Sequence, residues 1–531
     1  MYGHNCYIVN GLRRPSYPAL SLSSSRNDEV SASERYLVAA WICFGALLRV
    51  LSLCFSDNSG GDAVARASGS AAWLSHPSLK FVFADSYPPG HFWLIGLFSL
   101  VVPNVLWASR LLSLVCGVAS LYIVWRLARL CYGPSCALLS LAIFTLYSLH
   151  IGYSTTSSSE VPYLFFLLAG TYLFLSGIQS STNRIGRLLL SGLLFSVSES
   201  IRFEAWAFCA GVAAAAGFAW VLRLRRRGVG VVPLGVWLFT TALWPVFMMA
   251  YCQHSFGDPM YLVHHTHMLN VEGLKTVSVL HQIAVMPVAI LASVSVTAVL
   301  AGLVGEVISL SPFSAEAFIL AGATLFFAGV EAYQVATGGL QAMARYTITL
   351  GTVLCIMSGV GFEWAIGKWA PGHATLARRV FVALAALNCI LLACVSLFSN
   401  PIADELASVS PRLRYQGHVA EVAGFLHGRL RPEQGVVFDD YNDESNILAV
   451  ASGLPLVPGD RAYLASRKNE VSVSDYIAKI HPRFFVFSDR GTLRQWFYLR
   501  PGCLDSQTVG GIVFRCAYRG QVYRIYELSY P

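Results

Sequence analysis

The sequence predicts an α-helical, multi-pass membrane protein of about eleven spans, ending in a small α/β domain outside the bilayer. Three observations lead there. Of 531 residues, 55% are hydrophobic and only 12% are charged, about half the ~25% charge typical of soluble domains. A soluble chain of this length would divide into several domains, each needing a charged surface that these residues cannot supply. Apolar runs of span length recur as far as residue 398, and charge density rises only beyond residue 400.

The first run, YLVAAWICFGALLRVLSLCF over 36–55, follows a polar, Ser-rich segment, 1–35. That segment lacks the apolar core of a cleaved signal, so the run reads as a retained anchor. Further runs lie at 109–130, 135–152, 160–178, 187–201, 203–222, 229–252, 281–304, 314–336, 343–362 and 378–398. The motif SESIRFE separates the two runs on either side of residue 202. Most of the 13 Cys sit inside apolar runs, where they behave as small hydrophobes. Cys503 and Cys516, in the tail, form either a disulfide or two free thiols.

Basic residues orient the spans. Arg13, Arg14, Arg26 and Arg35 precede the first one. Arg126/Arg129, Arg184/Arg187, RLRRR at 223–227 and Lys368/Arg378/Arg379 follow in alternate loops. Loops 55–108, 153–159, 253–280 and 337–342 are poor in Lys and Arg. The N-terminus is therefore expected in the cytoplasm and 399–531 outside. The net charge of +8 is mostly topological, which argues against a nucleic-acid partner.

Two segments need separate accounts. The loop 55–108 carries a Pro-Pro turn and then HFWLIGLFSLVV, too short to span and rich in aromatics, which suits a helix in the outer interface. The tail has short β-rich runs, QGVVFDDYNDESNILAVASGLPLV and HPRFFVFSD, and helical pattern at 415–428 and 472–481. The expected divisions are a cytoplasmic tail 1–35, a membrane domain 36–398 and an extracytoplasmic domain 399–531.

An Asp shortly after span one, then SYPPGHFWL, then ASRLLSLVCGVASLYIVWRLARLCYG, resembles the GT-C superfamily of membrane glycosyltransferases. The branch resembled is that of protein O-mannosyltransferases and lipid A aminoarabinose transferases. HIGYSTTSSSEVPYLFFLLAG, SGLLFSVSESIRFEAWAF and ARYTITLGTVL continue the resemblance in order from residue 36 to about 400. It implies transfer of a hexosyl or pentosyl group from a polyprenyl-phosphate donor to a lipid, glycan or protein acceptor, outside the cytoplasm. The implied setting is the plasma membrane of a prokaryote, with the endoplasmic reticulum as the other option. Whether a divalent metal takes part is left open, and no other cofactor is implied.

The resemblance makes Asp62 the catalytic base, with Asp57 as the other choice. Ala63 stands where the commoner pattern has a second acid, and Asp62 also suits the start of a helix. Glu160 matches the second outer carboxylate. Arg202 is the expected phosphate ligand, because a guanidinium grips phosphate with two hydrogen bonds. Its bland alternative is an ion pair with Glu204 or Glu199 that only ties helices together. Arg345 and Tyr346 suit either phosphate binding or interfacial anchoring. His91, Glu204, His264 and His265 are expected along the cavity, with a solvated loop as the alternative for the histidines. The competing readings are a transporter or flippase of lipid-linked glycans, and a non-catalytic relative. A transporter would place charges at mid-membrane in symmetric halves, whereas here they gather at the outer ends of spans.

Overall fold

The computed structural model describes residues 30–55, 61–78, 87–274, 279–311, 314–340, 342–395, 418–427, 429, 436–439, 473–488, 505–520 and 523–531. Helix α1 (Ala32–Phe55) is followed by the short α2 (Gly61–Ser75) and α3 (Gly90–Phe98). Then come α4 (Val105–Tyr132), α5 (Pro134–Thr145), α6 (Ser148–Tyr153), α7 (Glu160–Gln179), α8 (Arg184–Ile201) and α9 (Glu204–Ala219). The second half holds α10 (Val231–Phe256), α11 (Tyr261–Leu274), α12 (Val279–Val294), α13 (Val296–Ser309), α14 (Ala315–Ala336), α15 (Ile348–Trp369) and α16 (Ala374–Val395).

Among the described residues, eight helices are long and apolar enough to cross a membrane. A ninth passage is the pair Gln282–Val294 and Val296–Ser309, bent by 106°. The bend falls at Ser295, whose φ of 85° breaks the helix and whose hydroxyl accepts from the Ala298 N–H. The sequence expectation of about eleven includes two further passages. One, 135–152, is divided into α5 and α6 at Leu146 and Tyr147, so neither piece has span length. The other is α8, whose Arg184, Arg187 and Glu199 dilute its apolar character.

Lipid tails are as apolar as the helices, so the bundle must be held by close packing and internal polar bonds. Small residues bring backbones together. Gly302 and Gly305 of α13 lie on the backbone of α15, and a Cβ at Gly302 would stand 2.8 Å from the Leu354 carbonyl oxygen. On the α7–α8 pair, Ser191 donates to the Gly170 carbonyl at 2.7 Å and Ser198 to that of Tyr163 at 2.9 Å. The outer surfaces of α10 and α16 expose Phe239, Val246, Leu376 and Leu384, as lipid-facing surfaces should.

The two ends of the bundle differ. At one end Arg129 pairs with Glu34 at 3.1 Å, Arg227 with Glu316 at 3.3 Å, and Arg378 with Glu363 at 2.7 Å. The starts of α7, α9 and α15 and the ends of α8 and α14 meet at the other. There α2 and α3, from the expected interfacial loop, pack on α4 and α8. One face of α3 buries His91, Phe92 and Ile95, while Leu97 and the following Leu100 and Val101 are exposed.

Beyond the last span, the described residues include five strands in one sheet, in the order β1 (Val436–Asp439), β2 (Phe484–Ser488), β5 (Tyr523–Ser529), β4 (Ile512–Arg519) and β3 (Ser506–Val509). The β1–β2 pair is parallel and the rest are antiparallel. Phe485, Phe487, Phe514 and Tyr526 make one core, with Ile477 from helix Val473–Ile480. Phe484, Val486 and Ile525 make another with Val422 and Leu426 of helix His418–His427. Both helices fall where the tail showed helical pattern. Cys503, proposed partner of Cys516, lies outside the described residues.

Candidate active site

The SESIRFE break organises the site. Helix α8 stops at Ile201 because Arg202 adopts an extended backbone (φ −149°, ψ 145°), and α9 starts two residues later at Glu204. The reversal leaves the Arg202 side chain at the meeting point of four helices, yet only 7% exposed. Its Nη1 donates to Glu160 Oε1 at 2.7 Å and to Ser159 Oγ at 3.0 Å. Its Nε donates to Glu204 Oε1 at 2.9 Å, and Nη2 donates to the same oxygen. Such a charge is tolerable in low dielectric only because opposite charges and hydrogen bonds surround it.

Two aromatic rings complete the cradle. The guanidinium lies 5.5 Å from the ring centres of Tyr163 and Tyr346. Arg345 approaches the same ring at 5.1 Å from its centre, and its Nη2 donates to the Tyr346 hydroxyl at 3.3 Å. Both residues sit on a tight turn, Ala344–Thr347, that opens α15. Arg345 also acts electrostatically on Glu204. The Tyr346 ring thus has two cations within cation–π range.

The loop helices close the site from the side. Gly90 opens α3 against the end of α8, where any Cβ would meet the Ser200 carbonyl oxygen at 2.6 Å. Only glycine permits that approach, and it buries the next residue, His91, completely. Among the described residues neither ring nitrogen of His91 has a hydrogen-bond partner. Burial, with the like charges of Arg66 and Arg202 behind it, holds the His91 pKa well below its usual value. Arg66 lies 4.5 Å from the Tyr87 ring centre and 5.7 Å from that of Phe92.

Of the residues expected from sequence, Glu160, Arg202, Glu204, Arg345, Tyr346 and His91 converge here. Asp62 lies in the first turn of α2, four residues before Arg66. Asp57 lies outside the described residues. The anticipated Arg202–Glu204 pair exists, joined by Glu160; among the described residues Arg202 makes no pair with Glu199, whose main-chain carbonyl accepts from Trp206 Nε1 at 3.2 Å. On α11, exposed His264 pairs with half-buried Asp258 at 2.7 Å. The hydrogen bond from His264, then that from the Met260 N–H, lowers the Asp258 pKa. His265 stacks on Tyr261 at 5.8 Å. Sequence reading missed Ser159, Tyr163, Arg66 and Glu331. Glu331 had a usable signal, an ionisable residue inside an apolar run.

Residues 86–249, from the Pro-Pro turn into α10, match the family described as dolichyl-phosphate-mannose-protein mannosyltransferase. The fold as a whole is similar to that of ArnT from Cupriavidus metallidurans bound to undecaprenyl phosphate. The TM-score is 0.63 at 14% identity, over 92% of this chain and 97% of that one. This chain has the GT-C fold. The same fold is shared with the oligosaccharyltransferase AglB from Archaeoglobus fulgidus, in complex with an inhibitory peptide and a dolichol-phosphate. There the TM-score is 0.53 at 12% identity, over 86% of this chain and 70% of AglB. None of the curated proteins matches the sequence. On this GT-C bundle, Glu160 and Glu204 are both engaged by Arg202. Among the described residues no three His, Cys, Asp or Glu side chains group as metal ligands.

Proposed function

We propose that the chain is a membrane glycosyltransferase that moves a sugar from a polyprenyl-phosphate carrier to an acceptor at the extracytoplasmic face. The observation that carries the reading is Arg202, buried between Glu160 and Glu204 and sharing the Tyr346 ring with Arg345. A membrane protein does not ordinarily bury this much charge at a helix break unless the charge serves binding or chemistry. The ArnT fold was captured with undecaprenyl phosphate, which supports a carrier phosphate as the ligand. The Lys- and Arg-poor loops at the site end support an extracytoplasmic orientation, with the N-terminus in the cytoplasm of a prokaryotic cell.

The chemistry follows from these groups. The acceptor O–H gives its proton to Asp62, the base that the resemblance assigns. The acceptor oxygen then bonds to the anomeric carbon as the bond from that carbon to the phosphate oxygen breaks. The electron pair leaves with the phosphate on its carrier, and the anomeric centre inverts. Most of the Arg202 fork is held by its carboxylates, so Arg202 acts as an oriented charge with one Nη2 hydrogen to spare. Arg345 supplies the second positive charge toward the departing phosphate. Glu160 orients Arg202 and, through it, the donor.

The test is transfer of labelled sugar from polyprenyl-phosphate donors in membranes carrying wild type, Asp62→Asn or Asp57→Asn. Loss of at least ~100-fold in Asp62→Asn, with Asp57→Asn active, supports the reading. Correctly folded wild type that transfers from no donor refutes it and favours a transporter or a non-catalytic relative.

A further inference from the structure

Helices α9 and α14 pack antiparallel in a register that can be read from their contacts. Gly322 faces Ala215, Gly211 faces Ala323, and the rings of Phe208 and Phe327 lie 5.9 Å apart. One turn further toward the site, the same register sets Glu331 opposite Glu204. Glu331 is 4% exposed, and among the described residues neither carboxylate oxygen has a hydrogen-bond partner. It lies within electrostatic reach of both Glu204 and Arg202.

This is a third carboxylate beside an arginine that two others already neutralise. Neither of its buried oxygens has a hydrogen-bond partner among the described residues, a costly state in the interior of a bundle. A ligand that brings hydrogen-bond donors, and no further negative charge, would satisfy it. A phosphate offers acceptors alone and would leave the acceptor positions of the carboxyl group unmet. The sugar bonded directly to that phosphate would meet them, through its hydroxyls.

We infer that Glu331 receives hydroxyl groups of the transferred sugar, making it a binding residue of the donor site. The inference rests on the glycosyltransferase reading. Bidentate acceptance by a carboxylate also favours a sugar with free adjacent hydroxyls over one blocked at those positions.

The experiment compares wild type, Glu331→Gln and Glu331→Asp, full length in lipid nanodiscs. Binding of bare undecaprenyl phosphate is measured first. Binding and transfer are then measured with undecaprenyl-phosphate mannose, glucose and arabinose as donor probes. Bare undecaprenyl phosphate should bind Glu331→Gln as tightly as wild type, because it has no sugar hydroxyls to place at that position. The donor that wild type uses should bind about 10-fold more weakly to Glu331→Gln and be transferred with kcat/KM reduced about 10- to 100-fold. Glu331→Asp should recover part of that loss, and it serves as the test variant if Glu331→Gln does not fold. Equal effects on bare and sugar-bearing carrier, or no effect on either, overturn the inference while transfer by wild type persists. Absence of transfer by wild type from all three donors is a different failure, that of the glycosyltransferase reading, and removes the inference with it.

Discussion

The two ends of the bundle use the same residue types to opposite effect. At the basic end, Arg129, Arg227 and Arg378 each meet one Glu across neighbouring helices and stay 21%, 51% and 40% exposed. Their glutamates are 9%, 6% and 11% exposed, so each pair meets solvent mainly through its arginine, where the charge is screened. At the site end, Arg202 meets two Glu, and the group is buried beneath α3 and α15. There the charges hold one another in place, and removing one strands the others. An arginine at the end of a span becomes site machinery when other elements cover it, and otherwise it marks topology.

The sharpest way to break this comparison is Arg202→Ala, which leaves Glu160 and Glu204 buried without a counter-charge. Thermal unfolding in detergent should show a loss of ~3–5 kcal/mol, and sugar transfer should vanish. Arg202→Lys should keep much of the stability and still lose transfer, because an ammonium cannot span both carboxylates as the fork does. Second in size, Gly361→Val should cost ~1–3 kcal/mol by pushing α15 off the Ala301 carbonyl of α13, with transfer falling only in proportion to folded protein.

His91 sharpens the contrast through pH. Its folded pKa lies well below the unfolded value of about 6.5, so the unfolded chain gains a proton that the folded chain does not. Its contribution to stability is therefore full above that value and falls as the pH drops below it. Between pH 6.5 and pH 5.5 wild type should lose ~1 kcal/mol more than His91→Gln, read from unfolding midpoints at the two values. The smallest effect is expected from Arg378→Ala at the basic end. It should change stability by less than ~1 kcal/mol and leave transfer unchanged, the result that a purely topological charge predicts.

Much of this was legible in the chain because a membrane simplifies the code. Span length, loop charge and the exceptional position of Arg202 between two apolar runs are all local properties. The passages at 135–152 and 187–201 were less legible as spans, because a kink at Tyr147 and three charges on α8 depart from the simple apolar rule. Glu160 and Glu204 could be named, but not that one guanidinium holds both. Their positions lie 42 and 2 residues from Arg202, and no spacing rule joins them.

By itself the sequence determined the membrane class, the polar break at SESIRFE, the short helix after the Pro-Pro turn and the α/β character of the tail. Each depends on composition or periodicity within a single segment. Tertiary structure alone decided which charges are buried together. Gly90 against Ser200 buries His91 where α3 meets the end of α8, Arg202 and Arg345 share the Tyr346 ring, and the α9–α14 register sets Glu331 across from Glu204. Burial is a property of what covers a residue, and the covering elements here come from distant parts of the chain.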